Sequence, residues 1–185
     1  MADPAAKVPF RRDGRGVLVL DLPRPLPDPD VTVVVLEIEG TAEVDLAARP
    51  GPDGRIVLVA AEASIHGASP QYESGGGKDN IGFWGDPKDY VSWDVEFPAA
   101  GEYEVEMAYS CAAGCEGSRF EVSAGGSPLV GTSKSTGAWN AFTKERLGVL
   151  RIDAAGRRTV SVKPLAEPKW KVIGLRSVTL VPAEK

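Results

Sequence analysis

The chain has 185 residues, 43% of them hydrophobic and 25% charged, a balance that suits a globular protein with an ordinary core. Its formal net charge is -5 and its Lys and Arg residues are scattered, so it excludes a nucleic-acid binder: no basic stripe is available to neutralise phosphates. No run of about 18 apolar residues predicts a membrane span, and the N-terminal MADPAAKVPFRRDG lacks the apolar centre of a secretory signal.

With 21 Gly and 15 Pro and no short period, the composition favours many turns and an all-β chain. Two segments separate. In the first, residues 16–22 (GVLVLDL) read as a strand. Residues 23–29 carry four prolines and must extend or turn. Residues 31–38 (VTVVVLEI) are a β-branched run, expected to be a second strand buried on both faces. Two strands alone are not a stable unit. This N-terminal two-stranded appendage, residues 1–46, is therefore expected to dock elsewhere or to pair with a second copy as a homodimer. Residues 47–54 (AARPGPDG) have the composition of a linker, taken here as 47–55.

The second segment, residues 56–185, offers strand candidates at 56–61, 90–97, 101–110, 118–124, 128–132, 142–152, 156–164 and 170–180. Short strands at this spacing, with turn signals between them and no helical period, predict an antiparallel β-sandwich. Within it, Asn80-Ile81-Gly82-Phe83-Trp84-Gly85-Asp86-Pro87 reads as a loop with bulky rings beside glycine. Residues 74–78 (SGGGK) read as a flexible loop leading into it.

Catalytic patterns are weak. His66 is the one histidine, has no triad partner in sequence, and reads as an ordinary loop residue. Glu102, Glu104 and Glu106 share one face of a strand, as Asp94 and Glu96 do, which is the pattern of a solvated sheet rather than of a paired-carboxylate hydrolase. Gly75-Gly76-Gly77-Lys78 is followed by no helix that could bind phosphate. Cys111 and Cys115 fit either a small-loop disulfide or two free thiols.

Carbohydrate contact suits the aromatic loops better. Sugars offer an apolar face to rings and hydroxyl edges to amides and carboxylates. One loop supplies Asn80, Phe83, Trp84 and Asp86; a second, Ser135-Thr136-Gly137-Ala138-Trp139-Asn140, supplies Trp139 and Asn140. For Trp84 and Trp139, core packing and ligand contact are equally compatible with the pattern. Trp93 sits in an alternating strand and is expected in the core; Trp170 fits core or rim.

Ala61-Glu62-Ala63, Gly75-Gly76-Gly77, Tyr90-Val91-Ser92-Trp93-Asp94-Val95, Pro98-Ala99-Ala100-Gly101-Glu102-Tyr103, Thr136-Gly137-Ala138-Trp139 and a final apolar strand follow one another in an order that resembles the galactose-binding-like, jelly-roll sandwich of carbohydrate-binding modules, families six and thirty-five. The Asn-Ile-Gly-Phe-Trp loop is also similar to that of modules appended to bacterial α-L-fucosidases and sulfatases, and residues 21–40 resemble the closing strands of the C-terminal sandwich in family 29 fucosidases. The resemblance implies a non-catalytic carbohydrate-binding module at the C-terminal end of a fucosidase-like glycoside hydrolase. An upstream catalytic domain would be its partner, and the setting extracellular or periplasmic. It implies sugar contact at Trp84, Trp139 and Asn140, and a structural calcium with Glu62 as one ligand. Where the family has an acid in the last strand this chain has Gly174-Leu175-Arg176, and a missing carboxylate weakens a calcium site. A structural accessory domain that binds no sugar is the alternative.

Overall fold

A computed structural model describes residues 7–12, 18–28, 30–41, 45–126, 128–167 and 169–183. The chain forms two compact units, Met1–Val44 and Asp45–Lys185.

In the first unit, β1 (Phe10–Arg12) pairs antiparallel with β2 (Leu18–Leu20), Phe10 opposite Leu20. Gly16, Val17 and Pro29, part of the expected strand and connection, lie outside the described residues. Residues 31–38 are not the second strand: they join no ladder, and Val31, Val33, Val35, Leu36 and Ile38 are exposed within this unit. The reason is local. The Asp28 carboxylate accepts the N–H groups of Asp30 and Val31, closing a turn, and β-branched residues favour an extended backbone without supplying a partner edge.

The second unit is a two-layer antiparallel sandwich. Its strands are β3 (Ile56–Val59), β4 (Ser64–His66), β5 (Gln71–Glu73), β6 (Asn80–Gly82), β7 (Tyr90–Phe97), β8 (Gly101–Ser110), β9 (Arg119–Ser123), β10 (Leu129–Thr132), β11 (Phe142–Ile152), β12 (Gly156–Pro164) and β13 (Gly174–Pro182). One sheet runs β10-β9-β12-β7-β4 and the other β11-β8-β13-β6-β5, with β3 also on β13. The residues read as a linker belong to this unit. Ala48 bridges Val95, donating to the Asp94 carbonyl at 2.8 Å and accepting from Glu96 N–H at 2.9 Å.

Alternation builds the core. Val91, Trp93, Val95 and Phe97 on β7 face Tyr103, Val105, Met107 and Tyr109 on β8 and Leu175, Val178 and Leu180 on β13, all buried. Each such side chain contributes roughly 1.5–3 kcal/mol by leaving water. The opposite face of β8 is solvated, as its period predicts: Arg146 pairs with Glu104 at 3.1 Å and Lys144 with Glu106 at 3.2 Å. His66 is not in a loop; it lies on β4, stacked on Tyr90 with centroids 4.1 Å apart and bonded to Ser92 Oγ. Both cysteines are free.

Two irregularities matter for the site. Asn80-Ile81-Gly82 forms a strand, and the β5–β6 hairpin is closed by Lys78 N–H to Gly75 C=O at 3.0 Å. That turn lies inside the six-residue loop 74–79, and its central residues, Gly76 and Gly77, have φ of +59° and +76°, left-handed values that glycine adopts at no steric cost. On β13 a bulge falls between Leu175 and Ser177, leaving Arg176 unpaired against β8.

Candidate functional site

A pocket of about 250 Å³ opens beside β6 and the start of β13, lined by Glu73, Lys78, Asn80, Gly82, Phe83, Trp139, Val172, Ile173 and Gly174. Phe83 and Trp139 bring the rings; they are 62% and 42% exposed, and both are large apolar groups that the core does not absorb. The Trp139 loop is tied down at Thr136, whose Oγ1 accepts Cys111 N–H at 2.9 Å while its own N–H donates to the Cys111 carbonyl at 2.8 Å. This clips the second aromatic loop to the end of β8. Phe83 stands at φ +57°, a backbone conformation that costs a bulky residue on the order of 1–3 kcal/mol and occurs mainly where function holds it.

The polar wall comes from the hairpin register. Glu73 lies opposite Asn80 on the paired strand. Its carboxylate pairs with Lys78 Nζ through Oε1 and accepts Asn80 Nδ2 through Oε2 at 3.2 Å. That bond uses one of the two amide N–H groups. Asn80 is 2% exposed, and among the described residues no group donates to its Oδ1; Ser110 Oγ is likewise unpartnered. A buried acceptor without a donor costs about 1–3 kcal/mol. Glycines keep the floor clear: a Cβ on Gly82 would sit 2.0 Å from Glu73 Oε2 and displace that carboxylate, and one on Gly174 would sit 2.4 Å from the buried Ser110 Oγ.

Of the residues expected to contact sugar, Phe83, Trp139 and Asn80 meet at this pocket; Trp84, Asp86 and Asn140 do not. Trp84 is fully buried, a correction to its expected role. Its Nε1 donates to the Asp89 carbonyl at 3.0 Å and its ring meets Trp170 edge-on. Asp86 is exposed, outside the pocket, and accepts Lys88 N–H at 2.9 Å in a turn of its own. Asn140 is exposed in the turn beyond Trp139 and also lies outside the lining. Glu73, Lys78, Gly82 and Gly174 were missed. Their one sequence signal is the Gly-Gly-Gly-Lys turn, which fixes which residues of β5 and β6 stand opposite.

Glu62 is exposed on a 3-10 turn, Ala60–Glu62. Among the described residues no three His, Cys, Asp or Glu side chains gather as a metal would need. At the last strand the Arg176 guanidinium takes the carbonyl oxygens of Gly77 and Lys78. This donor set does not fit a calcium ion, which wants six or more oxygens with carboxylates among them.

A second, more open cavity of about 390 Å³ lies by Tyr109, Lys134 and Glu145. Its polar groups are satisfied internally: Tyr109 Oη donates to Glu145 Oε2 at 2.7 Å and accepts Lys134 N–H at 3.0 Å. Burial first, and the Glu145 bond second, push Tyr109 up to about 12. Burial raises the Glu145 carboxyl, but bonds from Lys134 and Tyr109 outweigh it and hold the group below its usual range.

Glu73 is the one carboxylate lining the aromatic pocket, and Lys78 neutralises it. Acid–base hydrolysis of a glycoside uses two carboxylates, whereas rings, an amide and an ion pair around a glycine floor suit the holding of a polyhydroxylated ligand.

None of the curated proteins matches this sequence. Solved structures do. A family 35 carbohydrate-binding module from Clostridium thermocellum aligns with a TM-score of 0.58 at 16% identity, over 70% of this chain and 98% of its own. The C-terminal family 6 module of LamC, a marine laminarinase from Zobellia galactanivorans, aligns with a TM-score of 0.57 at 18% identity, over 69% and 98%. The GH26-CBM35 β-(1,4)-mannanase of Podospora anserina aligns with a TM-score of 0.57 at 17% identity, over 72% of this chain and 28% of its own. These likenesses show a shared sandwich fold. The model of carbohydrate binding module family 6 matches residues 61–179, which span the pocket and most of the second unit, and the chain belongs to that family.

Proposed function

We propose that the second unit is a non-catalytic module that binds carbohydrate in the pocket between Phe83 and Trp139. The observation that carries this reading is the meeting, in one pocket, of two exposed rings, Phe83 and Trp139, with the polar wall of Glu73, Lys78 and Asn80. A sugar lays its C–H face on a ring and turns its hydroxyls toward such polar groups. Phe83 and Trp139 bind; Glu73 and Lys78 orient the ligand's hydroxyls, and Asn80 holds the Glu73 carboxylate in place. Trp84 serves as the core anchor beneath the Phe83 loop.

The module belongs, on this reading, to a larger glycoside hydrolase of the α-L-fucosidase kind, exported and carrying its catalytic acids in an upstream domain. The Asn80–Trp84 loop and residues 21–40 support that assignment by their resemblance to such enzymes. The mannanase, of which a similar module makes up a minor share, supports the appended arrangement. The accessory-domain alternative needs both Trp84 and Trp139 inside the core, and the exposure of Trp139 weighs against it.

A glycan array carrying fucosylated, galactosylated, xylosylated and uronic-acid glycans tests the proposal. Selective binding that Trp139→Ala abolishes is expected; an array without a single reproducible ligand overturns it.

A further inference from the structure

Arg176 stands apart from the pocket lining but controls one of its walls. As the bulged residue of β13 it is released from the ladder and aimed outward over the sheet. Its Nε and one terminal nitrogen donate to the Lys78 carbonyl at 3.1 and 2.6 Å, and that terminal nitrogen also donates to the Gly77 carbonyl. Its guanidinium carbon lies 3.4 Å from the centroid of the Phe142 ring, on β11. One side chain therefore ties the β5–β6 turn, the last strand and the far edge of the same sheet.

The turn needs such a tie. Gly75, Gly76 and Gly77 all have positive φ, and a Cβ on any of them would meet nothing within 4 Å. No packing restrains them, and glycine gives up more backbone freedom on ordering than any other residue. Yet Lys78 ends this turn, and Lys78 with Glu73 and Asn80 makes the polar wall of the pocket. Two successive carbonyls converging on one point are also what a hard divalent cation would recognise. Here a guanidinium occupies that point.

We infer that Arg176 is the positioning residue of the pocket, a built-in cation that fixes the Gly77 and Lys78 carbonyls and makes the site independent of divalent metal. Phe142 holds the guanidinium plane so that its donors face the turn. Lysine is a weaker replacement: an ammonium can reach two carbonyls, as Lys171 does with those of Gly114 and Glu116, but it cannot stack flat on the Phe142 ring. The pocket's role as a sugar site rests on the function proposed above; the ordering of the turn does not.

Hydrogen exchange of the segment 74–80 in the full chain tests the inference, with thermal unfolding measured in EDTA and in calcium chloride. Arg176→Met is expected to speed exchange of the Lys78 amide about tenfold and Arg176→Lys to a smaller extent, with β7 and β12 unchanged. Phe142→Leu is expected to do so to a smaller extent, and it keeps the question open to test if Arg176→Met fails to fold. Wild-type unfolding is expected to be the same in EDTA and in calcium. Wild-type exchange rates in Arg176→Met, or a calcium-dependent rise in Tm, overturn it. A wild-type chain with no glycan ligand but with the predicted exchange pattern would defeat the sugar reading and leave this one standing.

Discussion

The indole N–H of Trp170 donates to the carbonyl of Trp84 at 2.6 Å, and the two rings meet edge to face with centroids 5.8 Å apart. Both rings belong to the core, whereas Trp139 is partly exposed at the pocket, so Trp84 and Trp139 should behave as opposites. Trp84→Ala is expected to destabilise the sandwich by about 3–5 kcal/mol in denaturant unfolding, through the cavity and the lost bonds. Trp139→Ala, at a partly exposed ring, is expected to stay within about 0.5 kcal/mol of wild type.

Phe83 should trade stability against binding. Asparagine tolerates the left-handed backbone better than phenylalanine. Phe83→Asn is therefore expected to match or exceed wild-type stability, by up to about 1 kcal/mol, while weakening carbohydrate binding. Thermal unfolding and a parallel binding assay check the pair of effects.

How much of this was legible in sequence follows from strand length. Tyr90–Phe97, Gly101–Ser110, Phe142–Ile152 and Gly156–Pro164 alternate over many residues, and their bounds could be read directly. Ser64–His66, Gln71–Glu73 and Asn80–Gly82 are three residues each, too short to display a period, and the last two carry Glu73 and Asn80 of the polar wall. Neighbouring rings were undecidable for a different reason. The positive φ at Phe83 turns that ring out and the next one in, and no composition rule reveals a single dihedral. Residues 31–38 misled because propensity describes the strand and not its partner.

Gly174 tests the pocket floor. The Cβ of Gly174→Ala would fall 2.4 Å from Ser110 Oγ and 3.2 Å from Asn80 Nδ2. The expected cost is about 1–3 kcal/mol from overpacking, with the Asn80 amide displaced and ligand affinity reduced. Unfolding midpoints and binding of the same variant measure both.

Stability should fall at alkaline pH through Tyr109. The folded state keeps this proton up to about 12, whereas the unfolded chain releases it near 10. The folded state therefore binds more protons in that window, and the stability present below it is lost as pH rises through it. The loss is on the order of 2–3 kcal/mol. Tyr109→Phe is expected to flatten this limb in unfolding experiments across the range. Glu145, held low, acts at the other end: its contribution is present at neutral pH and is lost on acidification.

The central claim, that Phe83 and Trp139 frame a carbohydrate site, is tested most directly by calorimetric titration of an array-selected glycan into wild type, Trp139→Ala, Asp86→Ala and Asn140→Ala. Losing a tryptophan anchor removes about 2 kcal/mol or more, a drop of about thirtyfold. The account predicts that drop for Trp139→Ala alone, with Asp86→Ala and Asn140→Ala titrating like wild type. Undiminished binding in Trp139→Ala, or a loss confined to the other two, would contradict it.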